Sequence, residues 1–478
     1  MSPTIGPPPG SPAPPGGERP APGTASATAK GGTIPIGSPG PAGERPGAQG
    51  RPRVARTDRL TTVWLCLAVL AAGATTVFRT ALPQPLWTTI HLVTLGVLTN
   101  GILQWSWYFA RALLRLPPGD RHSGRDNTRR ILALNAALVV LIASMWAEWA
   151  PGAVVGATGV GAVAAWHGLA LVVAARTRLA SRFAVVLRYY AAAAAFLVLA
   201  AVLAGLVATA AFAASAPQWL VGARSAITVA HAIGGWVGLT MGGTIVTLGP
   251  TAVRTRMDPR AVDLASLALP VWAAGLLAAV AGALAGHMRA VAAGLAVVGL
   301  AAAAGIAYPL ARAAMRKGPS EYGSWSMCLG TAWILVGVAV VAQHAWAAGT
   351  GEQLRAANLP WLPIIGAGGL GQVFIGALTY LMPVVIGGGP RAVRVGVGAL
   401  EAAAPMREAA RNAALVLLAA ATASQAPVAA RLATACWAVV LATYLADIAL
   451  MARAGAAQAR ARTAPPSPSP SNTGGPRG

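Results

Sequence analysis

WTTIHLVTLGVLTNGILQWSWYFARALLR (87–115) is the stretch whose composition decides the fold. It has the length of one bilayer-crossing helix, which needs roughly 20 mainly apolar residues. It nevertheless carries His91 about one turn from its start, Asn100 and Gln104 in its middle, and Arg111 and Arg115 at its end. Inside a bilayer each polar group is costly unless another helix supplies a partner. A span of this kind therefore predicts further spans around it.

The rest of the chain provides them. Of 478 residues, 56% are hydrophobic and only 10% charged, and the mean hydropathy is +0.60. A soluble domain would be about a quarter charged. Apolar runs of membrane-crossing length recur at 60–78, 87–110, 131–150, 153–175, 183–213, 225–250, 264–285, 290–311, 323–348, 362–386, 412–426 and 428–452. The expected fold is all-α, a polytopic membrane protein with about twelve transmembrane helices, which makes the lipid bilayer its first partner. Residues 1–58 and 455–478 are rich in Pro, Gly, Ala and Ser. Such a composition buries no core, so both are expected to be disordered tails flanking a membrane domain over 59–454. The first tail also lacks the charged start and short apolar run of a signal peptide.

A net charge of +23 would point to nucleic acid in a soluble protein. Here the basic residues sit in the gaps between apolar runs, so no nucleic-acid partner is expected. With the N-terminus inside, 31 of the 36 lysines and arginines fall on the cytoplasmic side. The other side holds only Arg79, Arg224, Arg289, Arg355 and Arg431. That asymmetry places a multi-pass protein in a bacterial plasma membrane with both termini cytoplasmic. The arginine and alanine bias points to a high-GC bacterial genome. Cys66, Cys328 and Cys436 lie inside apolar runs without a CxxC spacing, which favours packing over a disulfide or thiolate site.

Polar residues inside the spans carry whatever chemistry there is. Four of the six histidines, His91, His231, His287 and His344, fall in the outer layer of the bilayer, while His167 lies deeper and His122 is in a loop. Imidazole is the usual protein ligand of heme iron and copper, and a shared depth is what one site requires. Each histidine also has an ordinary reading. His287 and His344 are near water, and His91, His231 and His167 could serve as interhelical hydrogen-bond glue. Glu148, between Trp146 and Trp149, reads as part of an interfacial belt or as a carboxylate that orients a histidine. Asp447 is expected to pair with a nearby arginine such as Arg453. Midmembrane carboxylates of the kind proton-driven carriers use are missing from the expected spans. The tetrapeptides GVLT (96–99), VGLT (237–240) and GALT (376–379) recur in the second, sixth and tenth spans and hint at threefold pseudo-symmetry.

Three stretches, HLVTLGVLTNGILQWSWYFARALLR (91–115), GWVGLTMGGTIVTLGPTAVRTRMD (235–258) and GQVFIGALTYLMPVVIGGGP (371–390), resemble actinobacterial membrane domains associated with copper oxidases and nitrite reductases. More distantly the chain resembles subunit I of heme–copper oxidases and NnrS-type membrane proteins. The resemblance implies twelve helices, heme or copper as cofactor, and a cupredoxin-type or other redox partner on the outer face. It carries over a ligand role for His91 alone, as counterpart of a low-spin heme ligand; His231 and then His344 are candidate partners by their depth, with Asn100, Gln104 and Glu148 as candidate surrounding or pathway residues. The seventh span lacks the family's histidine pair, and Gly371 and Gln372 stand in a tenth span without histidine. A reduced ligand set follows, which argues against dioxygen reduction by this chain alone. The alternatives are a small-solute permease whose path is lined by Asn100, Gln104 and Gln372, or a non-catalytic structural subunit.

Overall fold

The computed structural model describes residues 54–116, 125–176, 184–210, 212, 219–424 and 429–463. Among these there is no strand, only helices. In chain order they are α1 (Val54–Val77), α2 (Pro85–Leu113), α3 (Arg125–Trp146), α4 (Ala150–Arg176), α5 (Val185–Ala210), α6 (Trp219–Ala252) and α7 (Ala261–Leu284). There follow α8 (Met288–Arg316), α9 (Tyr322–Ala347), α10 (Gly351–Asn358), α11 (Leu362–Ile386), α12 (Gly389–Leu400), α13 (Ala404–Ser424) and α14 (Ala429–Thr463). Ten of them are long and apolar enough to cross a membrane: α2 to α9, α11 and α14. The chain is an all-α, multi-pass integral membrane protein whose apolar helices face lipid. Each of the twelve expected spans coincides with a helix, and the two outside the ten are α1 and α13. In α1 the apolar stretch within the described side chains is Val63–Val77. In α13 the first turns carry Arg407, Glu408 and Arg411.

Boundaries moved where side chains could satisfy what the sequence alone left costly. α13 starts at Ala404, eight residues before the expected 412, because its charges are neutralised inside the protein. α14 continues to Thr463, past the boundary set at 454. The remaining tail residues 1–53 and 464–478, and His122, lie outside the described residues. α3 and α4 separate at 147–149, where Glu148 takes φ +53° and Trp149 N–H donates to the Ser144 carbonyl at 2.8 Å.

Helix α6 is the central post of the bundle: 78% of its apolar stretch is buried, against 22% for α14. It is not the continuous helix expected over 225–250. A π-helical turn over Val229–Ile233 leads into a break at Gly234 and Gly235. At Gly235 a Cβ would lie 1.7 Å from the Ala230 carbonyl oxygen, so only glycine passes there. α2 carries a longer π segment, Leu92–Thr99, and α11 carries one at Gly366–Gly371. These are the three helices with the recurring tetrapeptide; α8 has a further π turn at Ala303–Ala307. A π turn inserts a residue and re-aims the side chains around it, which is why such turns gather at functional sites.

Candidate functional site: two histidines on interrupted helices

Pro85 opens α2 at a position where its missing N–H costs nothing, and the first two turns end on His91. The ring of His91 stacks on Trp87 with centroids 3.8 Å apart, and its Nδ1 lies 2.8 Å from the Trp87 carbonyl oxygen. A carbonyl only accepts, so Nδ1 carries the proton and Nε2 presents a lone pair. His231 sits in the middle of the π turn of α6, and its Nε2 is buried with no hydrogen-bond partner among the described residues. His91 is close enough to act electrostatically on His231. His91, just before the π segment of α2, and His231, within the π turn of α6, thus each leave Nε2 without a hydrogen-bond partner among the described residues.

Deeper in the bundle Thr99, Asn100, Gln104 and Ser106 of α2 are all engaged. Trp236 Nε1–H donates to Thr99 Oγ1 at 2.9 Å and ties α6 to α2. Asn100 exchanges two amide hydrogen bonds with Asn135 of α3, at 3.0 and 2.8 Å. Gln104 accepts from Asn127 at 2.7 Å. Fully buried His167 meets Ser106 Oγ at 2.9 Å through Nε2, and its ring lies edge-on to Trp107 and Trp236. Its Nδ1 has no partner among the described residues. Arg130 is fully buried over the Trp107 ring at 4.9 Å.

His344 stands apart: its Nδ1 is 2.7 Å from Asn358 Oδ1 of α10, and its ring packs edge-on to Trp361. His287 is an exposed cap residue at the start of α8. Glu148 is exposed in the turn after α3. It lies at the end of α3 that is fastened to the start of α2, through Trp146 Nε1–H on Thr88 Oγ1 at 2.9 Å. No group of three or more His, Cys, Asp or Glu side chains that could hold a metal occurs among the described residues. The three cysteines are free thiols.

The largest polar cluster is one the sequence reading missed. Asp447 does not pair with Arg453. Its carboxylate contacts Arg407 Nη1 and Arg411 Nη2 of α13 and accepts from the Tyr322 hydroxyl of α9 at 2.6 Å. The pairing reaches across helices because α13 and α14 pack side by side, whereas Arg453 lies six residues further along Asp447's own helix. Arg411 also donates from Nε to Thr443 at 3.1 Å, and Arg407 from Nη2 to the Leu400 carbonyl at 2.6 Å. The two guanidiniums lie over Tyr444 and Tyr322, each at 4.1 Å. Glu408 accepts from Ser326 at 2.5 Å, and Asn412 exchanges amide bonds with Gln372 of α11 at 3.0 and 3.1 Å.

One sequence signal would have exposed it. NAALV occurs at 135–139 in α3 and again at 412–416 in α13, with arginine five residues before each asparagine, Arg130 and Arg407. Asn135 and Asn412 each bind the amide of the preceding long helix, and each donates to the carbonyl four residues back, Ile131 and Glu408. In α7, Trp272 makes the corresponding tie, donating to the Gly234 carbonyl of α6 at 3.1 Å. Outside the spans, burial pushes the Glu401 carboxyl up from its ordinary value, opposed by the hydrogen bonds it accepts from the Tyr322 backbone N–H at 3.0 and 3.1 Å.

No family model, no curated protein and no solved structure matches this chain.

Proposed function

We propose that this is a twelve-span protein of the heme–copper-oxidase-like type in the bacterial plasma membrane, with both termini cytoplasmic. In this reading α1 and α13 complete the count. His91 and His231 form a two-imidazole site for heme iron or copper, serving redox chemistry or the response to metal or nitrogen-oxide stress. The observation that carries it is that His91 of α2 and His231 of α6, within electrostatic reach of each other, both leave Nε2 uncommitted. Two imidazoles would hold a heme iron or a copper(I) ion, and fall short of the four ligands of a structural zinc. Such a group supplies one-electron transfer when bound.

The chain's own part is orientation. The Trp87 carbonyl keeps the proton on Nδ1 of His91, so its Nε2 remains a donor to metal, and the stacked indole fixes the ring. His344 is the third candidate ligand, and a cupredoxin-type partner would exchange electrons at the end of the bundle where His91 lies. The test is an absorbance spectrum with metal analysis of the detergent-purified protein, beside His91→Ala and His231→Ala. A Soret band or near-stoichiometric copper, lost in either variant, is the expected result. A colourless, metal-free protein after expression with heme and copper supplied overturns the reading.

The second reading is a structural subunit. Asn100, Gln104 and Gln372 all hydrogen-bond across helices, which favours glue over a solute path. Solute uptake into vesicles containing the protein would contradict it.

A further inference from the structure

Two guanidiniums share one cavity where α6 begins and α10 ends. Val221 and Arg224 of α6, with Glu352, Arg355, Ala356 and Leu359 of α10 and its exit, line a space of about 280 Å3. Arg224 and Arg355 act on each other as like charges. Among the described residues neither makes an ion pair, and neither does Glu352. The single carboxylate leaves the cavity with one net positive charge. This is also the end of the bundle to which the sequence allots only five of 36 basic residues, so two of five meeting at one cavity is a concentration of charge.

We propose that this cavity binds a phosphate-type anion, the phosphodiester of a lipid headgroup or a free phosphate. A guanidinium fork matches two phosphate oxygens at once, and two forks on one anion remove the repulsion between them. The position suits a headgroup. α10 joins the ends of α9 and α11, burying Leu354 and Asn358 while Glu352, Gln353 and Arg355 face outward. Short amphipathic helices of this kind lie at the level where a bilayer's polar zone begins. The apolar wall of Val221, Ala356 and Leu359 is available to the glycerol and upper chain of a lipid. The cavity is held in shape by close contact of the two helices, since a Cβ at Gly351 would stand 3.0 Å from Val221 Cγ1.

The full-length protein in neutral detergent is titrated with phosphatidylglycerol, read by native mass spectrometry, and separately with inorganic phosphate, read by calorimetry. Saturable binding of at least one probe is expected, weakened about tenfold or more in Arg224→Gln/Arg355→Gln and largely kept in Arg224→Lys/Arg355→Lys. Glu352→Gln should tighten it, and Arg289→Gln, an exposed arginine stacked on Trp346 instead, should leave it unchanged. Binding of the lipid alone assigns a headgroup, while phosphate that binds and displaces the lipid assigns the phosphate group itself. No saturable binding of either probe by the native chain, or equal affinity in Arg224→Gln/Arg355→Gln, overturns the proposal.

Discussion

Asn412 repeats on α13 the hydrogen bonds that Asn135 makes on α3. Each exchanges two amide bonds with the neighbouring long helix, to Gln372 and Asn100, and each donates to the carbonyl one turn back. The surrounding NAALV pentapeptide is the same in both helices. A buried amide that loses its partner is left with unmet hydrogen bonds, and that loss exceeds the net worth of the bond itself.

Asn135→Ala and Asn412→Ala are therefore expected to destabilise by similar amounts, about 1–2 kcal/mol each, in reversible unfolding in detergent. Asn100→Ala/Asn135→Ala should cost less than the two single losses added together, because no orphaned amide remains. Additive losses would show that the exchange is not an energetic unit.

Asp447→Asn leaves buried Arg407 without its ion-pair partner and buried Arg411 with only Glu408, at 4.0 Å. A loss of about 3–5 kcal/mol is expected, seen as collapse of expression or a large drop in melting temperature. Arg453→Ala should change stability little. A stable Asp447→Asn protein would show that the pair is dispensable.

Gly235→Ala should prevent folding of α6, because the new methyl would overlap the Ala230 carbonyl. Gly73→Ala is the control: nothing lies within 4 Å of its Cβ position, and α1 should gain up to about 1 kcal/mol. Proteolytic resistance of the two purified variants distinguishes them.

Glu401 has a carboxyl raised in the folded state, so the fold binds its proton more tightly than the unfolded chain does. Its contribution to stability is present below the ordinary value of 4.5 and is lost as pH rises through the folded value. Glu401→Gln should match wild type in acid and become the more stable of the two as pH rises towards neutrality. Melting temperatures of both proteins from pH 4 to pH 8 test this, and parallel curves would contradict it.

Much of the helical plan was legible because apolar runs and arginine clusters mark helices and their ends whatever packs against them. The candidate site was legible only by residue type. His91 and His231 stand out as histidines in apolar runs, but the π turns beside them leave no mark on hydrophobic periodicity. An arginine partner for Asp447 is legible in the sequence, but not which one, because in a bundle the partners come from adjacent helices. Nor does the apolar run around Gly234–Gly235 show the break in α6, which is set by the approach of Gly235 to the Ala230 carbonyl.

The salt bridges of Asp447 also bear on how the chain is made. Arg407, Glu408 and Arg411 put three charges into the first turns of α13. Each arginine alone would oppose insertion by about 2.5–3.5 kcal/mol at midmembrane depth, less near the edge. With Asp447 alongside, the charges are matched before they leave water. Compatibility with lipid is then a property of the α13–α14 hairpin, acquired only after Asp447 has been synthesised. A chain terminated before that residue should hand α13 to quality control.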